Sequence, residues 1–267
     1  METLVLDGNP IDYDVTGTTG PTLVLVSGWC QDHRLFDHVL PLLAENHRVI
    51  RADWRGHGAV RSVEADFGPA EQAADVIKLM DALGVDRFVP VSTSHGGWAN
   101  MEITDRLSPE RVPGSVVIDW IMVEAWPEFV QDLRDIQDPE LWLAGRQRLF
   151  DFWLGGTAHP AVARHLDDEM ASFDFDMWAR SCRVIENAYA TWGSPLRRMA
   201  ALKVQRPIAH LFSQPSLPDY EAVQREFASA NPWFRPHRIP GQTHFPTLES
   251  PAVLAGLVEK FAASVGR

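Results

Sequence analysis

Cysteine is nearly absent from this 267-residue chain, which has only Cys30 and Cys182. Two thiols do not make a disulfide framework, and without an export signal they point to a reducing compartment. No Cys/His cluster has the spacing of a zinc site, and no glycine fingerprint marks a dinucleotide site. Long apolar runs are missing too: none approaches the roughly 18 residues that a membrane-spanning helix needs. The start, Met1-Glu2-Thr3-Leu4, lacks the basic segment and apolar run of a signal peptide, so a cytoplasmic protein is expected. Basic residues are scarce, 24 against 36 acidic ones, and the net charge of −12 argues against an electrostatic nucleic-acid binder. Repeats and low-complexity stretches are absent.

What is present is the profile of one globular domain, 45% hydrophobic and 22% charged. Short continuous apolar runs, each ending in turn residues, occur at 22–26, 49–52, 88–92, 115–118 and 208–212, with a last one over 234–239. Such runs read as parallel strands buried on both faces. Between them lie helical patterns, among them 69–83, where Ala73, Val76, Ile77, Met80 and Leu83 share a face and Gly84 is a stop signal. Alternating strands and helices predict an α/β architecture with a mostly parallel sheet. The alternation breaks after Asp119. Residues 123–200 show no strand and carry Trp126, Trp142, Trp153, Trp178 and Trp192, half of the chain's ten tryptophans. The expected organisation is a core of 1–122 and 201–267 with an inserted helical cap over 123–200. Ser250-Pro251 supplies an N-cap and first-turn proline for a terminal helix.

One hexapeptide carries the chemistry. Ser92-Thr93-Ser94-His95-Gly96-Gly97 follows the strand at 88–92 and leads into a helical stretch from Trp98. A strand, a sharp turn with a central serine and a helix form the nucleophile elbow of the α/β-hydrolase fold. Asp119 follows the fourth strand and His244 the last, so the order is Ser, Asp, His, the hydrolase order. A carboxylate fixes the imidazole tautomer that can take a proton. Asp219, after the strand at 208–212, is the reserve for the acid, although the turn there reads Ser213-Gln214-Pro215-Ser216. The backbone N–H groups of His95 and Trp29 are the candidate oxyanion donors, and Gly96-Gly97 lets the elbow helix approach the sheet. Gly56-His57-Gly58 reads as a structural turn.

Several stretches carry a closer resemblance. Gly28-Trp29-Cys30-Gln31-Asp32-His33-Arg34, Thr93-Ser94-His95-Gly96-Gly97-Trp98, Phe152-Trp153-Leu154, Phe212-Ser213-Gln214-Pro215 and Thr243-His244-Phe245-Pro246 are among them. They resemble the cofactor-independent 3-hydroxy-4(1H)-quinolone 2,4-dioxygenases, which share the α/β-hydrolase fold. The resemblance implies an enzyme that opens a heteroaromatic ring with O₂ and releases carbon monoxide, without metal or flavin. It implies His244 paired with Asp119 as the base for the 3-hydroxyl, and Ser94 as a hydrogen-bonding partner of the substrate. It also implies that the Trp29 and His95 N–H groups hold the negative oxygen and that Trp153 lines the ring site. Gln31 stands where some relatives carry a substrate-touching histidine.

Two other readings compete: a serine hydrolase with Ser94 as nucleophile, and a binding protein that keeps the pocket. A dehalogenase is disfavoured because position 94 is serine where an aspartate nucleophile belongs.

Overall fold

The computed structural model describes residues 1–63 and 65–266. Its strands are β1 (Glu2–Leu6), β2 (Asn9–Thr16), β3 (Thr22–Val26), β4 (Arg48–Ala52), β5 (Phe88–Thr93), β6 (Ser115–Ile118), β7 (Ile208–Phe212) and β8 (Phe234–Arg238). They form one sheet in the order β1-β2-β4-β3-β5-β6-β7-β8. Pairing is parallel from β4 to β8 and antiparallel where β2 meets β1 and β4.

The central strands read as unbroken apolar runs because both faces are covered. Along β3, Leu23 and Leu25 enter one hydrophobic cluster while Val24 and Val26 enter the other, on the opposite face. β1 and β2 lie outside that pattern, and the apolar-run reading, which starts at residue 22, passes over them. β1 is largely exposed at the sheet edge. Its signal is the turn: Leu6 pairs with Asn9, and Asp7 (φ 50°) and Gly8 (φ 82°) both lie in the left-handed region, the Asp-Gly pair of a two-residue hairpin.

The helices are α1 (Leu40–Ala44), α2 (Pro69–Ala82), α3 (Gly96–Arg106), α4 (Pro127–Ile136), α5 (Trp142–Leu154), α6 (Pro160–Arg164), α7 (Phe175–Trp192), α8 (Pro195–Ala200), α9 (Pro218–Ala230), α10 (Pro246–Glu249) and α11 (Pro251–Val265). A π-helical turn, His165–Glu169, follows α6. α4 to α8 all fall between β6 and β7, the stretch in which the sequence shows no strand. Ser250 does precede α11, but its hydroxyl does not cap that helix; it donates to the Pro240 carbonyl at 2.7 Å. No helix among the described residues is long and apolar enough to cross a membrane.

Candidate active site

Ser94 lies between β5 and α3 with φ 47°, a backbone conformation rare for serine, and its N–H donates to Ile118 O at 2.7 Å. The turn is that tight because glycines let α3 sit down on the sheet. A Cβ on Gly96 would lie 2.3 Å from the Ser27 carbonyl oxygen, and one on Gly97 would lie 2.3 Å from the Trp120 ring. The elbow thus projects the Ser94 hydroxyl beyond the carboxyl ends of β5 and β6.

His244 precedes α10 and reaches the same point. Its Nε2 lies 3.0 Å from Ser94 Oγ, and its Nδ1 lies 3.3 Å from Asp119 Oδ1. With a carboxylate on the Nδ1 side, Nδ1 carries the proton and Nε2 is the free base. Asp119 follows β6 with φ 47°, is 2% exposed, and accepts from Ser213 N (2.8 Å), Ser213 Oγ (2.5 Å) and Gln214 N (3.2 Å). Asp219 is not the partner: it sits exposed in the first turn of α9, because the chain enters that helix directly after Leu217.

The loop after β3 faces Ser94 from the other side. A Cβ on Gly28 would come 3.1 Å from Ser94 Cβ. Gln31 ties this loop down: its Oε1 accepts from Gly28 N (3.0 Å) and Thr93 Oγ1 (3.2 Å), and its Nε2 points toward Met170 Sδ. His57 braces the same loop by accepting from Cys30 N at 3.1 Å, while its Nδ1 lies 3.1 Å from Arg55 O. Burial lowers its pKa to about 4, so the ring is neutral and can do both at once. The Gly56-His57-Gly58 turn is thus structural. Among the described residues the backbone N–H groups of Trp29 and His95 have no protein acceptor, so they are available to a ligand oxygen beside Ser94.

Trp153, in the last turn of α5, does more than line a wall. Its indole stacks on the His244 imidazole (centroids 5.5 Å apart, planes 15° apart), and its carbonyl accepts from His244 N at 2.8 Å. The His95 side chain stacks on Phe129 of α4, and burial with the neighbouring His244 lowers its pKa to about 3.

Two narrow spaces meet at Ser94, of only about 20 and 10 Å³. Ser94, His95, Phe129 and Trp153 border both; Trp29, Gln31 and Trp178 border the first, and Asp119, Phe152 and His244 the second. An apolar groove of about 370 Å³ lies outside them and shares Phe129, Phe152 and Pro215 with the second. Sequence reasoning missed Phe129, Ser213 and Gln214. Phe129 carries no local signal beyond an apolar helix face. Ser213-Gln214 occupies the turn after β7, searched for an acid and holding its hydrogen-bond donors instead.

Residues 23–257 match the model of the alpha/beta hydrolase family. A 2-heptyl-3-hydroxy-4(1H)-quinolone dioxygenase of Mycobacteroides abscessus is 48% identical over 96% of this chain and 95% of its own length. A 1H-3-hydroxy-4-oxoquinoline 2,4-dioxygenase of Pseudomonas putida is 44% identical over 98% of this chain and 99% of its own. The chain belongs to the 3-hydroxy-4-quinolone dioxygenase family. Its backbone agrees with that of a solved family structure, a variant of AqdC, which cleaves the ring of the Pseudomonas quinolone signal, in complex with its substrate. The TM-score is 0.96 at 46% identity, over 98% of this chain and 99% of that one. In this family member, then, the residues brought together are Ser94, Asp119 and His244, flanked by Trp29, Gln31, His95 and Trp153.

Proposed function

We propose that this protein is a cofactor-independent 2,4-dioxygenase of 3-hydroxy-4(1H)-quinolones, yielding carbon monoxide and an N-acylanthranilate. The observation that carries the reading is the full-length likeness to enzymes of that activity, among them one 48% identical. The geometry supports it. His244 Nε2 is a base held by Asp119 and faces a cavity bordered by aromatic rings.

His244 takes the proton of the 3-hydroxyl. The resulting anion is held by the free N–H groups of Trp29 and His95 and by the Ser94 hydroxyl. The electron-rich ring then gives electrons to O₂, and a peroxide forms at ring carbon 2. Its terminal oxygen attacks the carbonyl carbon at position 4. The bridged peroxide collapses as its O–O bond and both bonds to carbon 3 break. Carbon 3 leaves as CO, carbon 2 becomes the amide carbonyl, and carbon 4 becomes the carboxylate, each of the latter two with one oxygen from O₂. Ser94 forms no acyl-enzyme in this sequence. Residues 123–200 act as a cap over the core of 1–122 and 201–267, with Trp153 and Phe129 excluding water from the anion.

The outer groove favours substrates with an alkyl chain at ring carbon 2, heptyl included. Trp126, Leu149, Phe152 and Leu217 give it an apolar lining that continues into the inner cavity through Phe152 and Pro215. The two free, buried thiols fit a reducing cytoplasm.

The test is incubation of metal-stripped protein with 2-heptyl-3-hydroxy-4(1H)-quinolone. CO and the N-acylanthranilate are expected in air and neither under nitrogen. Rapid aryl-ester cleavage with no CO from any 2-substituted quinolone would instead establish a serine hydrolase.

A further inference from the structure

Asp119 is bound more closely by Ser213 than by His244. The Ser213 hydroxyl lies 2.5 Å from Asp119 Oδ2 and its N–H donates to the same oxygen at 2.8 Å, while His244 Nδ1 stands 3.3 Å from Oδ1. The same hydroxyl lies 2.6 Å from the Thr243 carbonyl, the peptide oxygen just before His244. Ser213 is 0% exposed, so no bulk water reaches it. One hydroxyl proton faces two acceptors, and the carboxylate, being charged, is the stronger. Thr243 cannot drift away from the contact. Its N–H and hydroxyl both donate to Glu249 at 2.8 Å, and Arg238 holds the Ser213 carbonyl from the β8 side.

We propose that Ser213 is a positioning residue for the base: its hydroxyl joins Asp119 to the His244 loop and tempers how strongly the carboxylate retains the His244 proton. The physical argument is electrostatic. A donor on Oδ2 withdraws charge from the carboxylate, so an imidazolium at Oδ1 gains less from it. His244 then gives up its proton more readily and stays in the form that accepts the substrate's. Removing the hydroxyl leaves Asp119 with only backbone donors besides His244, and His244 keeps its proton to higher pH. The other ionisable groups around the pair are His95 of the elbow, His210 of β7, Tyr220 of α9, Glu249 of α10 and Arg238 of β8. They are common to the proteins compared below.

The inference rests on His244 acting as the base, and its test is separable from that reading. The titration midpoint of His244 is measured by side-chain ¹⁵N NMR in wild type, Ser213→Ala and Ser213→Thr, without substrate. In Ser213→Ala the midpoint is expected to rise by roughly 0.5–1 pH unit, and in Ser213→Thr to stay near wild type. Ser213→Cys, a weaker donor of similar shape, gives an intermediate rise and substitutes for the alanine variant if that one fails to fold. In an Asp119→Asn background Ser213→Ala is expected to move nothing further. With quinolone, the acid limb of kcat/KM follows the same shift while KM changes less than about twofold. A His244 midpoint that stays fixed in Ser213→Ala, with only thermal stability reduced, overturns the proposal. Absence of CO from wild type overturns the dioxygenase reading and leaves the NMR result to decide on Ser213.

Discussion

Ser94 has the position and strained backbone of a nucleophile, and its partner at 3.0 Å is a base. The two chemistries open to it differ in what the hydroxyl must do. An acyl transfer needs the Ser94 oxygen as the attacking atom, so Ser94→Ala removes almost all turnover. In the proposed ring cleavage by O₂ the hydroxyl only holds the substrate, and the proton goes to His244. The expected outcome is that Ser94→Ala loses about 10–100-fold in CO release, the range of one hydrogen bond of about 1.4–2.8 kcal/mol. His244→Ala removes the proposed general base and is expected to fall by a further 10²-fold or more. Carbon monoxide trapped by haemoglobin under equal enzyme concentrations ranks the two.

At the scale of elements, the site depends on close approach. Gly97 lets α3 press on Trp120, and a methyl group there meets a ring that is itself fully buried and packed edge-on against Trp98. Gly97→Ala is expected to destabilise the fold by about 1–3 kcal/mol through overpacking, read as a lower denaturant midpoint. The elbow was legible in the sequence for the same reason. Ser94-His95-Gly96-Gly97 after an apolar strand is a pattern that backbone sterics dictate, and so is the run of strands buried on both faces. The Asp119–His244 pairing was legible only as a preference over Asp219. Nothing local says which of two carboxylates, 125 residues and 25 residues before the histidine in sequence, the sheet brings to it. The β1–β2 hairpin was missed because neither β1, an exposed edge strand, nor β2 beside it carries the continuous apolar run. The stacking of Trp153 on His244 joins residues from two distant segments, which no periodicity encodes.

The whole molecule holds several histidines that folding keeps neutral. His57 and His210 titrate near about 4 and His95 near about 3, each lowered chiefly by burial from an ordinary value of 6.5. An unfolded chain binds protons at these positions as pH falls through about 6.5, and the folded chain does not until about 4 or below. The sign is a loss of stability on acidification across that window. Each group contributes about 1.4 kcal/mol per pH unit, and together they contribute up to about 4 kcal/mol per unit. Urea midpoints are expected to fall steeply from pH 6.5 to 4.5. His57→Gln, which removes one of these groups, flattens the slope by about a third.

The glycine contacts at positions 28, 96 and 97 bear on how such a protein can diversify. The Gln31 and Ser94 side chains at Gly28, the Ser27 backbone at Gly96 and the Trp120 ring at Gly97 already fill the space a side chain would need, and the left-handed turns at Ser94 and Asp119 tolerate few replacements. The reactive half of the pocket is therefore close to frozen. The opposite half is built from side chains on α4, α5 and α7, such as Phe129, Leu149 and Ile185, where a change of size alters the room available without moving a reactive atom. On the proposed mechanism, reaction type and choice of molecule are thus written into separate stretches of chain, and the second can be revised under selection while the first stands still. Trp153 is the exception. It belongs to both halves, so replacing it changes what fits and disturbs the base in the same step.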